Sequence, residues 1–294
     1  PTCRTLHKPY IHTIESWKAA YNFLSTPLAA KKLNMMLHHL HIPSSTNETL
    51  SSDFTYKGRN GIYNLGTTCY ANALLQVFNT IDPLALSLIS YEAAKLAPLE
   101  IELRAILAQL RFVRGTILST TKLVETIPEF VENVQQDANE FLVESLINPI
   151  NTQLKDRSIT ECLRGKRLHS ICAYDGRVLH EREEDFYILE IPADHISKLS
   201  DGFERFFADD PMDDGYIIEE TKEKVPAYHH KSIVKWPDFL SLQLQRWEFT
   251  QNMGGTKLVH RYGFPIVLDP NDLNCSIGTA HCDFQYSLCG VVVH

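Results

Sequence analysis

The chain has 294 residues, 44% hydrophobic and 22% charged, the composition of a globular protein with one large domain or two modest ones. A net charge of −8 argues against a nucleic-acid binder and suits a basic protein partner, although such a charge also serves solubility alone. Seven scattered cysteines favour reduced thiols in a cytosolic or nuclear protein over a disulfide framework, and no apolar run approaches the ~20 residues of a membrane span. No signal peptide is visible, so no membrane is expected.

Residues 1–58 read as an N-terminal helical extension or the end of an upstream domain. Ile14 to Leu40 suggests one or two helices, with Trp17, Tyr21, Leu24 and Leu28 near one face and Pro27 breaking the run. His38, His39 and His41 follow. With no Cys or acid beside them they read as a solvated helix end rather than a metal site. His41 to Asn47 has the composition of a linker.

Gly61 to Gln76 then passes from a Gly-containing turn into an amphipathic helix. Ala71, Leu74, Leu75 and Phe78 fall at i, i+3, i+4 and i+7, one helical face. Thr67 and Thr68 stand where N-caps are expected, so Cys69 falls at or near the helix N-terminus. The helix dipole and free backbone N–H groups there favour a thiolate. Asn64 lies on the turn upstream, and an amide held near an activated thiol can donate to a developing oxyanion. A cysteine buried in a core helix is the competing reading of the same pattern.

Helices dominate as far as residue 155. Asp82-Pro83 starts the next one, and Pro98 to Val113 carries Leu99, Leu103, Ile106, Leu107 and Leu110 on one side, with Gly115 as its stop. Thr121, Leu123, Val124, Ile127 and Phe130 mark a further apolar stretch. A helix after Gln135-Gln136-Asp137 is expected to run to about Ile147 and stop before Pro149. On it Asp137, Glu140 and Glu144 share an outer face, which as spacing alone is a solvated charged face. From Ile159 the pattern changes to short strands at 168–173, 177–181, 186–191, 216–219 and 225–228, followed by longer ones at 238–249, 257–261 and 286–293. The acidic loop Asp209 to Gly215 reads as a solvated hairpin tip.

Four stretches, in order, carry a resemblance. Asn64, Leu65, Gly66, Thr68, Cys69, Tyr70, Asn72, Leu75 and Gln76 resemble the cysteine box of the ubiquitin-specific proteases, papain-like deubiquitinating enzymes. Gln135 to Phe141 is similar to that family's Gln-Gln-Asp-Ala-x-Glu-Phe. Pro237 to Trp247 resembles its Pro-x-x-Leu-x-x-x-Leu-x-Arg-Phe strand, and Tyr286 to His294 the opening of its histidine box. Smaller likenesses are Arg182 to Phe186, which looks like a turn into the family's finger strands, and Gly263 to Asp269.

The resemblance implies an α+β, papain-like cysteine peptidase over residues 59–294. A helical thumb would occupy about 59–155, and antiparallel β fingers and palm about 156–294. It implies a deubiquitinase that hydrolyses the bond after ubiquitin's C-terminal glycine, with Cys69 as nucleophile and Asn64 as oxyanion donor. Gln136, Asp137 and Glu140 would line the channel for ubiquitin's basic tail. No cofactor is implied. The family's finger zinc needs two Cys-x-x-Cys pairs. Here Asp175 follows Cys172 at the pair position, and Tyr228-His229-His230 stands where the second pair falls, so no zinc is expected. The family's catalytic His lies several residues beyond the position that His294 matches, so the expectation is a domain whose base and orienting Asp or Asn follow residue 294. Two alternatives stay open: a catalytically inactive module of the same fold that holds ubiquitin or a protein partner, and a papain-like peptidase for another modifier.

Overall fold

The structure, a computed structural model, describes residues 60–91, 97–112, 117–127, 136–153, 159–250, 254–273 and 282–293. The expected helices of residues 1–58, and with them Gly115, Phe130, Gln135 and His294, lie outside the described residues. The chain divides into two compact units, one of residues 8–162 with 289–294 and the other of residues 1–7 with 163–288.

The first unit is helical. Strand β1 (Gly61–Ile62) leads into α1 (Cys69–Thr80), α2 (Asp82–Ser90) and α3 (Pro98–Phe112). Then come β2 (Ile117–Leu118), α4 (Thr121–Glu125), α5 (Ala138–Glu140), a π-helical stretch (Phe141–Ile147) and α6 (Asn148–Gln153). The three-and-four spacing of apolar residues does what it predicts. Leu75 and Phe78 of α1, Leu84 of α2 and Leu103, Leu107 and Leu110 of α3 are all buried, and the three helices pack on one another. Arg111 ties the end of α3 to the α1–α2 corner. It pairs with Asp82 at 2.7 Å and donates to the Asn79 carbonyl, one of the acceptors that a helix end leaves open.

Pro149 does not stop the helix, contrary to the sequence expectation; α6 runs through it to Gln153. A proline ring clashes with the carbonyl four residues back in an α-helix. Here the turn before it is widened into π-helix, with Asn148 N–H bonding Val143 O, five residues back. The wider turn makes room for the ring and keeps Phe141, Leu142, Leu146 and Ile147 buried.

The second unit is, among the described residues, a sheet assembly with one α-helix. Strands β3 (Gly165–Ala173), β4 (Val178–Phe186), β5 (Leu189–Pro192), α7 (Leu199–Phe207) and β6 (Asp210–Pro211) come first. After them come β7 (Tyr216–Ile217), β8 (Lys224–Val225), β9 (Ala227–Lys235), β10 (Leu242–Gln245), β11 (Trp247–Thr250), β12 (Gly254–Lys257), β13 (Val267–Leu268) and β14 (Tyr286–Ser287). The largest sheet has the order β4-β3-β9-β6, antiparallel throughout. With the helices this makes a mixed α+β protein.

Several expectations are corrected. The Arg182 to Phe186 segment is not a turn but part of edge strand β4. Its run of acids is held by bases on and just before the neighbouring strand: Arg164 meets Asp185 and Arg167 meets Glu184, each at 3.0 Å, and Lys166 meets Glu183. Such exposed pairs contribute little to stability, but they mark a register in which opposite charges face each other. The pairing is not antiparallel throughout, since β5 pairs with β10 in parallel. The long connection between those two strands permits it. The expected strand 286–293 is only Tyr286–Ser287 among the described residues, and Val291 and Val293 stand exposed.

Helix α7 falls where only strands were expected. Leu199, Phe203, Phe206 and Phe207 lie at i, i+4, i+7 and i+8 and are buried with Phe186, Leu189, Ile191 and Ile233. Gly202 lets the helix approach closely, because a Cβ there would stand 2.6 Å from the Ile191 side chain. In the large sheet Cys172 lies opposite Tyr228, and His169 stacks on His229 with ring centroids 5.0 Å apart. Burial and the neighbouring His229 and Lys231 charges push the His169 imidazole below its ordinary range. Among the described residues, no group of three or more His, Cys, Asp or Glu side chains is placed to hold a metal ion.

Glu100 is 1% exposed, three residues into α3 from Ala97. Its carboxylate takes the backbone N–H groups of Ala97 and Glu100, the reach-back of a capping box. The Gln153 amide, with its nitrogen turned inward, donates to it at 2.7 and 3.0 Å. Burial outweighs the two backbone bonds and raises the carboxyl pKa. Below the ordinary carboxylate range the group is protonated in both folded and unfolded chains. As pH rises, the unfolded chain ionises first, so stability falls until the raised folded pKa is passed and stays lower above it. Glu100→Gln keeps the cap and removes this loss. Its melting temperature is expected to match wild type at pH 4 and exceed it at pH 7; a lower value at pH 7 would contradict this reading.

Candidate active site

Residues 60–68 have almost no regular structure, so their backbone groups must find partners elsewhere. Side chains supply them. Asn60 is buried and donates to Gln109 O at 3.0 Å, while its own carbonyl accepts from Gln76 Nε2 at 2.9 Å. Strand β1 pairs in parallel with β2, and Tyr63 N–H continues the ladder to Leu118 O at 2.8 Å. Tyr63 O accepts from Asn72 Nδ2 at 3.1 Å, and Thr120 Oγ1 donates to Asn72 Oδ1 at 3.4 Å. Leu65 N–H donates to Thr68 Oγ1 at 3.0 Å. Asn64 Oδ1 accepts from Thr68 N–H at 3.2 Å and from Thr68 Oγ1 at 3.1 Å. Gly66 turns the loop at φ 101°, which only glycine adopts without strain.

Cys69 is the first residue of α1, exposed, with a free thiol. Asn64, also exposed, is hydrogen-bonded to the residue that precedes it. The helix start is therefore as the spacing predicts, but its cap is not. Thr68 occupies the N-cap position without bonding any N–H of the first turn. Its hydroxyl is used on the loop instead.

Tyr70 links this helix head to the acidic segment. Its ring is buried edge-on against Phe141, with centroids 5.4 Å apart, and its hydroxyl donates to Gln136 Oε1 at 3.4 Å. Burial raises the phenol pKa, and a negative Cys69 sulfur would raise it further. Gln136 is thus joined to the cysteine helix. Asp137 stands at the start of α5 and Glu140 at its end, both exposed. Asp137 is the N-cap of that helix, accepting from Asn139 N–H at 2.7 Å and Glu140 N–H at 3.4 Å. Glu144 lies a turn further on and accepts from Asn148 Nδ2 at 2.9 Å. Sequence reasoning missed the structural roles of Asn60, Thr68, Asn72 and Gln76. Their four-residue spacing with Asn64 was the available signal.

Cys69 thus presents an exposed thiol at a helix start, and the Asn64 amide is fixed on the preceding loop by its bonds to Thr68. The model of the ubiquitin carboxyl-terminal hydrolase family matches residues 60–294, and the chain belongs to that family. It is 26% identical over 249 residues to "Ubiquitin carboxyl-terminal hydrolase 26" of Oryza sativa subsp. japonica, covering 80% of this chain and 23% of that protein. It is 25% identical over 253 residues to "Ubiquitin carboxyl-terminal hydrolase 5" of Schizosaccharomyces pombe, covering 80% and 22%. With "Ubiquitin carboxyl-terminal hydrolase 23" of Arabidopsis thaliana it shares 26% over 309 residues, covering 97% and 35%. The chain spans about a quarter to a third of the length of these relatives.

The cap and the charge of Asp137 are separable. Asn caps as well as Asp, whereas Ala loses ~1 kcal/mol of helix start. Asp137→Ala is expected to lower the melting temperature by a few degrees and Asp137→Asn to leave it within a degree of wild type. Equal loss in both would mean that the carboxylate charge, not the cap, matters to the fold.

Proposed function

We propose that this chain is the catalytic part of a deubiquitinating cysteine protease, with residues 59–155 as thumb and 156–294 as fingers and palm. The observation that carries the reading is the exposed Cys69 thiol at the first position of α1, next to a loop that holds the Asn64 amide by two hydrogen bonds. The substrate is ubiquitin joined through its C-terminal glycine to an amine. The names of the relatives support this, and the −8 charge favours a basic tail. A reducing compartment, cytosol or nucleus, suits a free nucleophilic thiol.

The Cys69 sulfur attacks the glycine carbonyl carbon. A C–S bond forms, and the carbonyl oxygen becomes an oxyanion facing the Asn64 amide and the backbone N–H groups at the head of α1. Collapse breaks the C–N bond and the amine leaves with a proton. Water then hydrolyses the thioester to ubiquitin's carboxylate and free Cys69. The proton transfers need an imidazole. We assign it to none of residues 60–293 and not to His294, which matches the family's earlier histidine. Asp137, Glu140 and Gln136 receive the basic tail of ubiquitin.

Two measurements test this. A ubiquitin bearing a C-terminal electrophile is expected to label Cys69 alone, and Cys69→Ala to abolish labelling. Labelling that survives Cys69→Ala contradicts the assignment, and a wild-type protein that binds ubiquitin without reacting supports the inactive scaffold. Separately, Asp137→Asn with Glu140→Gln, which keeps the α5 cap, is expected to raise KM for ubiquitin substrates about tenfold per residue at low salt, since a charged interface pair is worth roughly 1–3 kcal/mol. Unchanged kinetics would leave the two acids as a solvated face.

A further inference from the structure

We infer that Thr68 is a positioning residue for the oxyanion step: its buried hydroxyl anchors the Asn64 amide with the oxygen inward and the NH2 group outward, toward the reacting carbonyl. The inference rests on the proposed role of Asn64 as oxyanion donor and adds the group that orients it. Asn64 Oδ1 accepts from the Thr68 backbone N–H at 3.2 Å and from its hydroxyl at 3.1 Å. A backbone N–H can only donate, so an amide nitrogen turned to that point would face a donor; the oxygen belongs there. The amide NH2 is then left on the exposed side of Asn64.

The hydroxyl makes this arrangement tighter. It accepts from Leu65 N–H at 3.0 Å, so one bridge ties the loop backbone, the Asn64 side chain and the helix start together. Thr68 is 0% exposed, so water does not compete for its bonds. A threonine at an N-cap ordinarily turns its oxygen to an N–H of the first helical turn. Here that bond is not made. The helix forgoes its cap and the hydroxyl serves Asn64 instead, which is the feature that points to a role beyond folding. The backbone N–H alone sets which way the amide faces. The hydroxyl adds a second anchor that limits its swing, and donation into Oδ1 polarises the amide, so its N–H groups bind a developing negative charge more strongly.

The test is a mutant cycle in the whole protein, with a fluorogenic amide of ubiquitin's C-terminus as substrate. Thr68→Val keeps the shape and removes the hydroxyl. Loss of a whole oxyanion donor costs roughly 10²–10³ in kcat, so loss of one of its two anchors is expected to cost about tenfold, with KM within twofold. Thr68→Ser restores the hydroxyl and should stay within about threefold of wild type. In an Asn64→Ala background Thr68→Val should change kcat no further. An equal loss in both backgrounds, or a loss shared by Thr68→Ser, overturns the inference. Thr68→Ala serves the same comparison where the valine variant does not fold. If Asn64→Ala itself leaves kcat unchanged, the oxyanion reading fails and this one with it. If Asn64→Ala is slow but Thr68→Val is not, only the role of Thr68 falls.

Discussion

The hydrogen bonds between α1 and the loop that precedes it hold the rest of the site in place. A loop with ladder partners only at its start cannot lie against a helix unless its other carbonyl and N–H groups are paired, since each unpaired buried group costs ~1–3 kcal/mol. Asn60, Asn64, Thr68, Asn72 and Gln76 recur every fourth residue and meet that need. Asn60 and Gln76 close the far end of the loop, Asn72 holds its middle at Tyr63, and Thr68 holds its near end at Asn64 and Leu65. With the loop fixed at three points, Cys69 stands exposed on a rigid support. The thiol is set on the end of a helix whose opposite face is core, through Leu75 and Phe78. Rigid support of this kind is what a reacting group requires.

The same economy governs the acidic segment. Tyr70 follows Cys69 directly, and its ring and hydroxyl reach Phe141 and Gln136. The helix head and the start of α5 are thereby coupled through one aromatic side chain. Beyond it, the π-helical stretch carries the chain past Pro149 without giving up the buried row from Phe141 to Ile147. Asp137 does two jobs that the sequence pattern merges, since one carboxylate caps the helix and also presents a charge. Glu140, which accepts no bond from the first turn among the described side chains, presents charge alone.

How far the sequence could be read depends on where the partners lie. Helix α1 and the position of Cys69 were legible because Ala71, Leu74, Leu75 and Phe78 are local neighbours in a 3.6-residue repeat. Thr68 was legible as an N-cap position but not as the partner of Asn64, because short-range rules place a capping oxygen on the first turn. Thr120 and Gln109, the partners of Asn72 and Asn60, could not be foreseen, since they come from other elements. Pro149 was misread because a local rule ignores the widened turn before it. Helix α7 was missed although its apolar spacing was in view. Gly202 in its middle argues against a helix until its contact with Ile191 is known. The acids of β4 looked like a turn because the bases that answer them lie about twenty residues earlier, on β3 or just before it.

Central to the account is that Cys69 and Asn64 act on the same carbonyl. The most direct measurement is a crystal structure of the protein joined covalently to ubiquitin through a C-terminal aldehyde. Addition of the thiol to the aldehyde leaves an oxygen where the oxyanion would form. The account predicts a bond from that carbon to Cys69 Sγ and the oxygen within ordinary hydrogen-bond distance, about 2.7–3.1 Å, of Asn64 Nδ2. Asn64 Oδ1 should still be held by Thr68. An oxygen turned away from Asn64, or an amide released from Thr68 in the adduct, would contradict it.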